Sequence, residues 1–466
     1  MKKFVALTLC VVLALGTITG CGKKEKVAGD DKTVISVGNW PKENNPVQAE
    51  NFKKYVGIMK EKYPNITVTP DQWSYDVNSF LSKAASDQLP TVYNTHFTEP
   101  KKIVEAGYAK DITEAINKHG YADKINKDML DLVTIDGKYY GLPAEGYLMG
   151  LCYNANLFKE AGIVDEKGLP KYPKTFEELA LTAKEIKDKT GKAGFAFQTT
   201  KNQGGWLFMN IAWGFGAEFE KKNENKWIAT FNSPEGVEAL QYVKDLKWKY
   251  NVWTDNVLLD TPDVAKKFAM NELAMTFDSS AAITNSVSVD YGMDLKNVGM
   301  ASMPAGPKGK KALLGGTLRM IAPDATDEEV DAVFKWLEVT GYTPSITDDL
   351  KNRISESLAA QKDKKQVVFG YKGENDVTTP WSGKEHVDLY NSIAKDYCTV
   401  NMSMFDDYLN NKDVEPKAEV PMCAQELYKI LDSAIQEVLS NEKAEPKNIL
   451  DKAADDFQTD YLDKLQ

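Results

Sequence analysis

The sequence predicts an α/β protein of two or three domains, and three observations carry that expectation. Its 466 residues exceed what one core usually organises, at about 100–200 residues per domain. From Val34 to Tyr93, short β-rich runs alternate with helical patterns, an order that right-handed crossovers turn into a mainly parallel sheet. An extended apolar run, Leu148–Tyr153, then reads as a strand passing from one domain to another.

The chain opens with a positive head, Lys2 and Lys3, and a short apolar run from Phe4 to Leu15. That pattern, with small residues before a cleavage point, is a secretory signal. The run falls short of the roughly 20 apolar residues that span a bilayer. Ile18-Thr19-Gly20-Cys21 resembles a bacterial lipobox, whose cysteine carries lipid and becomes the first residue of the mature protein. The resemblance implies lipidation of Cys21, with a plain secretory signal as the alternative. Gly22 to Lys32 is polar and charged and reads as a flexible tether.

Each element follows from local pattern. Val34–Val37 is a strand, and Phe52, Tyr55, Val56 and Met59 recur at helical spacing before the stop at Tyr63-Pro64-Asn65. Ile66–Val68 is a second strand, Val77–Ala85 a helix, and Thr91–Tyr93 a third strand. Val133–Pro143 reads as a hairpin around Asp136-Gly137. Past the crossing run, Thr175-Phe176-Glu177-Glu178 is a capping box opening a helix through Ile186. Ser233-Pro234-Glu235 opens another, with proline at its favoured first position. Val264–Phe268 is helical and Leu273–Phe277 a strand. Gly315–Ile321 is a strand returning to the first domain, Asp327–Leu337 an amphipathic helix, and helices dominate from Ala424 with a break at Pro446.

Composition narrows the function. A net charge of −11 argues against nucleic acid, which calls for a basic face. Arg319 and Arg353 are arginine, whereas 55 of the 57 basic residues are lysine. Past the leader, Cys152, Cys398 and Cys423 form an odd set without a CxxC pair, so neither a disulfide framework nor a zinc site is implied. Cys398 and Cys423 could pair, though buried free thiols are favoured. No GxxxxGK[ST], HExxH or GxSxG occurs, and Gly214-Phe215-Gly216 lacks the third glycine of a dinucleotide loop. No catalytic residue, metal or cofactor is expected. A glycoside hydrolase would need two carboxylates set across a bond, and no pair stands out.

Several phrases resemble bacterial extracellular solute-binding proteins of the maltose and multiple-sugar group. They are Asp136-Gly137-Lys138 with Tyr140-Gly141-Leu142-Pro143, Tyr153-Asn154 with Leu157-Phe158 and Ala161-Gly162, and Pro173-Lys174-Thr175-Phe176-Glu177-Glu178-Leu179. Phe231-Asn232-Ser233-Pro234-Glu235-Gly236, Phe268 with Leu273-Ala274-Met275, and Met303-Pro304-Ala305-Gly306 continue the series. Pro90-Thr91-Val92 departs from a common Pro-Asp-Val, and residues 342–413 match little of the pattern. The resemblance implies a two-lobe periplasmic-binding-protein-like fold with a ligand cleft between lobes joined by crossing strands. With the lipobox it also implies a monomer, lipid-anchored on the extracellular face of the cell membrane (periplasmic where an outer membrane is present), that delivers a mono- or oligosaccharide to the permease of an ABC importer. The alternatives are a secreted carbohydrate-active enzyme, or the same fold holding a peptide or another solute. The expected layout is a leader at 1–20, a tether at 21–32, a first lobe at 33–147 and the main part of a second at 148–314. Residues 315–466 return to the first lobe and add the C-terminal helices, with 342–413 unassigned and open to sharing.

Sugar sites need flat aromatic faces for pyranose C–H groups and polar side chains for hydroxyls, since a buried polar group left unpaired costs about 1–3 kcal/mol. Open α/β sheets bind ligands past the carboxyl ends of their strands. The candidates there are Asn39 and Trp40 after the first strand, Asp71, Trp73 and Tyr75 after the second, and His96 after the third. Glu145 and Tyr147 precede the crossing, Trp206 and Trp213 belong to the second lobe, Asp278 follows a strand, and Gly316 lets backbone approach ligand. Trp40 leads this set, with a place in the core beneath the first strand as its alternative. Arg319, inside an apolar strand, reads as a buried ion pair, with a clamp on a ligand carboxylate as the alternative. Trp336, Trp248 and Trp253 read as structural.

Overall fold

Among the described residues, the two larger sheets and the two larger apolar cores organise the fold. A computed structural model describes residues 32–465 except 42–45, 78, 225, 280–281 and 374–378, so the leader, Cys21 and the tether to residue 31 lie outside the described residues. Strands β1 (Thr33–Val37), β2 (Ile66–Pro70) and β3 (Val92–His96) are parallel, with β1 between the other two. The helices Pro46–Lys62 and Phe80–Ala85 connect them. A small hairpin, β4 (Thr134–Ile135) and β5 (Lys138–Tyr139), turns at Asp136 and Gly137. Their φ angles of 51° and 75° are the left-handed values that an Asp-Gly turn supplies.

The expected crossing run splits in two. Strand β6 (Gly141–Leu148) belongs to the first sheet and β7 (Gly150–Asn154) to the second, so the chain changes lobe at Met149. Gly150 is required there. A Cβ at that position would come within 2.6 Å of the Ala301 carbonyl oxygen and 2.9 Å of the Tyr408 ring. The hairpin β8 (Glu220–Asn223) and β9 (Lys226–Ala229) stands apart, and β10 (Met275–Asp278) and β11 (Val298–Ser302) flank β7 antiparallel. The return strand is longer than its sequence pattern predicts. Strand β12 (Lys311–Ile321) runs antiparallel to both β3 and β6, and its first residues pair in parallel with β13 (Glu415–Ala418).

The capping signals are met, with one change of partner. Thr175 accepts from the Glu178 amide at 3.1 Å, but the Glu178 carboxylate takes the Lys174 amide instead of closing the box on the cap residue. Ser233 caps Pro234–Trp248, and full boxes form at Asp260/Asp263 and Thr326/Glu329.

The first core packs Ile35, Ile116, Leu318 and Trp336, and the second packs Tyr153, Phe158, Phe197 and Phe208. The C-terminal helices Ala424–Ser440 and Pro446–Asp460 pack with the second core, against Gln203–Phe215 and Pro234–Trp248. Residues 342–413 touch both lobes. Tyr342 and Trp381 belong to the first core, whereas the Met404 carbonyl accepts from Tyr153 and Asp407 accepts from Ser302 of β11. Cys152, Cys398 and Cys423 are all free thiols. Among the described residues no helix is long and apolar enough to cross a membrane.

Candidate functional site

The carboxyl end of the first sheet carries a polar stripe. Strand alternation puts Asn94 and His96 on one face of β3, and antiparallel register sets them opposite Arg319 and Thr317 of β12. On the other side of β12, Thr317 faces Glu145 and Gly315 faces Tyr147 of β6. A side chain at 315 has no room, because its Cβ would meet the Tyr147 ring at 2.4 Å; at 316 it would meet the Glu145 carbonyl at 2.3 Å. These two glycines let β6 and its aromatic side chain close over β12.

One end of the stripe is a cavity of ≈ 510 Å³, within the range of small-molecule sites. Asn39, Asn51, Asn94 and Arg319 give it polar groups, while Phe52, Tyr55, Trp336, Tyr342 and Trp381 form its apolar wall. Asn39 is fixed in a left-handed turn, its side-chain oxygen accepting from the Asn94 amide at 3.1 Å. The Arg319 guanidinium lies 4.5 Å over the Tyr342 ring, and Tyr342 is held by donating to the Pro143 carbonyl. Burial lowers the pKa of Arg319, and one of its nitrogens, Nη1, is buried with no hydrogen-bond partner. The expected ion pair of Arg319 is not formed among the described residues.

At the other end, aromatic rings and carboxyls from both lobes meet. Tyr75 is edge-on to His96 at 5.5 Å and donates to Glu99 at 2.5 Å; Thr98 donates to the second oxygen of Glu99 at 2.8 Å. The protein around His96 lowers its pKa, and Glu99 pulls the other way. Tyr147 stands edge-on to Trp206 of the second lobe, 6.1 Å between ring centres. Glu419 accepts from Tyr428 at 2.7 Å and from the Trp206 indole, and burial pushes its carboxyl up to about 7. At the rim, Lys102 of the first lobe lies 3.7 Å from Glu426, and Lys101 lies 4.7 Å over the Trp227 ring.

Asn39, Tyr75, His96, Glu145, Tyr147, Trp206 and Gly316 therefore gather along one stripe. The remaining candidates have other surroundings. Trp40 stacks on Trp336 at 6.0 Å and meets Phe52 edge-on at 4.8 Å, behind the cavity wall. Trp73 packs on Tyr93 and Phe80, and Asp71 closes a turn by accepting the Trp73 amide at 2.8 Å. Trp213 is 2% exposed and lies edge-on to Phe219 in the second core. Asp278, 3% exposed, accepts the amides of Ser279, Ile283 and Thr284, which holds the start of the helix Ala282–Val289. In each case apolar packing or an otherwise unsatisfied backbone amide claims the group. Sequence reasoning missed Tyr55, Tyr342, Trp381, Glu419 and Tyr428. Tyr55 has the spacing of any core-facing helix residue, and the others sit far along the chain from the strands they serve.

The chain matches the model of the bacterial extracellular solute-binding protein family over residues 41–341. It is 22% identical over 459 residues to the arabinooligosaccharide-binding protein of Bacillus subtilis, covering 92% of this chain and 99% of that one. It is 24% identical over 353 residues to the maltodextrin-binding protein MdxE of the same organism, covering 72% and 76%. Among solved structures, maltose-bound MalE3 of T. maritima superposes with a TM-score of 0.64 at 20% identity, covering 91% of this chain and 99% of that one. A solute-binding protein from Thermotoga lettingae bound with α-D-tagatose superposes at 0.65 with 19% identity, covering 92% and 99%. These likenesses establish the two-lobe fold, and the family match spans well over half of the residues: the chain belongs to the bacterial extracellular solute-binding proteins.

Proposed function

We propose that this protein captures an oligosaccharide between its lobes and presents it to the permease of an ABC importer. The stripe from Asn39 to Trp206 carries the reading: amides, hydroxyls and a guanidinium alternate with aromatic faces, the combination that sugar hydroxyls and C–H faces require. Relatives over most of the chain bind maltodextrins and arabinooligosaccharides. The role is binding without chemistry, so an oligosaccharide should leave the protein unshortened. A ligand touching both lobes favours the closed form by the contacts it makes only there. We take lobe 1 as 33–148 with the return strand from 311, and lobe 2 as 149–310 with the C-terminal helices packed on its core.

A thermal-shift panel of mono- and oligosaccharides, peptides and amino acids tests the reading. A bound sugar should stabilise the fold by about 2.7 kcal/mol at a hundredfold excess over its dissociation constant. Stabilisation by peptides or amino acids with none by any sugar would refute it.

We also assign Cys21 as the lipidated residue that anchors the mature protein to the outer face of the cell membrane. Two membrane signals are needed for durable attachment, and a pair of acyl chains on the N-terminal cysteine supplies them. Cys21→Ala should move the protein from the membrane fraction to the soluble fraction or block processing. Lipidated protein extracted only by detergent from that variant would contradict the assignment.

A further inference from the structure

We infer that the cavity at the end of the stripe receives an anionic sugar unit, with the negative group on the Arg319 guanidinium; this rests on the oligosaccharide reading above. The composition of the wall is the argument. Among the described residues that line the cavity there is one cation, Arg319, and no aspartate or glutamate. That is unusual in a chain with 68 acidic residues and a net charge of −11. Among the described residues the lining thus carries a net positive charge in an acidic protein.

Arg319 is also poised for a partner. A buried guanidinium is costly unless paired. Its Nη1 is buried and makes no hydrogen bond, and among the described residues no carboxylate forms an ion pair with it. Glu145 acts on it only through space. The guanidinium carbon is seated 4.5 Å over the Tyr342 ring. A planar fork seated in this way suits a carboxylate, a phosphate or a sulfate, each of which can accept two parallel N–H bonds. The amides of Asn39, Asn51 and Asn94 supply neutral donors and acceptors for the hydroxyls of the same sugar unit. A neutral sugar would satisfy the amides and leave the charge uncompensated. A uronic acid or a sugar phosphate satisfies both.

Calorimetric titration with three probes tests this: a uronic-acid disaccharide, its neutral counterpart, and the same sugar as a phosphate ester. The acidic disaccharide or the phosphate should bind tighter than the neutral one. The acidic probe's affinity should fall as salt rises from low to physiological concentration, and the neutral probe's should not. Arg319→Gln should weaken the anionic probe by roughly thirtyfold or more, a larger loss than the same change causes for the neutral probe. Arg319→Lys, which keeps the charge and loses the fork, should fall between. The salt dependence of the unaltered protein gives an answer even if a variant fails to fold. Which anion wins separates the carboxylate from the phosphate. Equal or tighter binding of the neutral probe, without salt dependence, overturns the inference and leaves oligosaccharide capture standing. So does tight anion binding that Arg319→Gln leaves unchanged. If none of the sugars binds, both fail.

Discussion

Trp40→Ala is expected to destabilise the first lobe by about 3 kcal/mol, the low end for truncating a tryptophan in a core, because this ring is only half-buried. The ring is stacked on Trp336 and edge-on to Phe52, and both of those side chains line the cavity. Removing it leaves a void directly behind the wall. Phe52 and Trp336 then lose contact on one side, which costs dispersion energy and frees their rotamers. The melting temperature should fall, and Trp40→Phe should recover much of the loss by restoring an edge-on ring. Urea titration of both variants checks the stability. Calorimetry at a temperature where both are folded checks the wall. An unchanged melting temperature with abolished binding would mean that Trp40 touches ligand directly.

The second large effect is on pH. Burial raises the folded-state pKa of Glu419 from 4.5 to about 7, that of Glu220 from 4.5 to about 7, and that of Asp432 from 3.8 to about 6. Because each folded value exceeds the unfolded one, the stability these carboxyls contribute is complete below their unfolded values. It is lost as pH rises through about 6 to 7. Each contributes on the order of 1–3 kcal/mol, at 1.36 kcal/mol per unit before allowance for residual solvent. His96 and His386 work in the opposite sense. Their lowered pKa values favour the neutral ring, so their contribution fades on acidification below their ordinary 6.5. The three carboxyls outweigh them between pH 5 and 8, and the melting temperature should decline across that range. Glu419→Gln keeps an acceptor for Tyr428 and the Trp206 indole and removes the titration, so the decline should become shallower. A flat profile in the unaltered protein would show that these groups are solvated.

Much of the frame was legible because it is local. The runs at Val34, Ile66 and Thr91 announce β1, β2 and β3 through β-branched residues, and Thr175 and Ser233 announce helix starts through their side-chain oxygens. The wall of the site was not. Tyr55 and Trp336 recur at helical spacing, and periodicity marks a face as apolar without saying whether it meets a core or a cavity. Asp278 shows the converse ambiguity. Its place after a strand suits a ligand contact, yet the following helix presents free amides to the same carboxylate. Trp381 and Glu419 reach the site only through long-range packing, with the Pro380 carbonyl accepting from Asn126 and Glu419 accepting from Tyr428. Sequence spacing carries no record of such pairings.

The strand order has a consequence for how the protein is born. Every strand of the three-stranded sheet comes from one continuous stretch, β7 to β11, residues 150 to 302. The larger sheet has no such continuity: β12 lies between β3 and β6 and, among the described residues, is the only strand that joins them, and β13 follows nearly a hundred residues later. As the chain is threaded out N-terminus first, β3 and β6 therefore wait with unpaired edges while the other lobe is assembled. Edges of that kind recruit foreign strands, and non-local pairing is slow to close. The period between the emergence of β6 and of β12 is when this polypeptide is most exposed to aggregation and proteolysis, and mutations that weaken β12 prolong it.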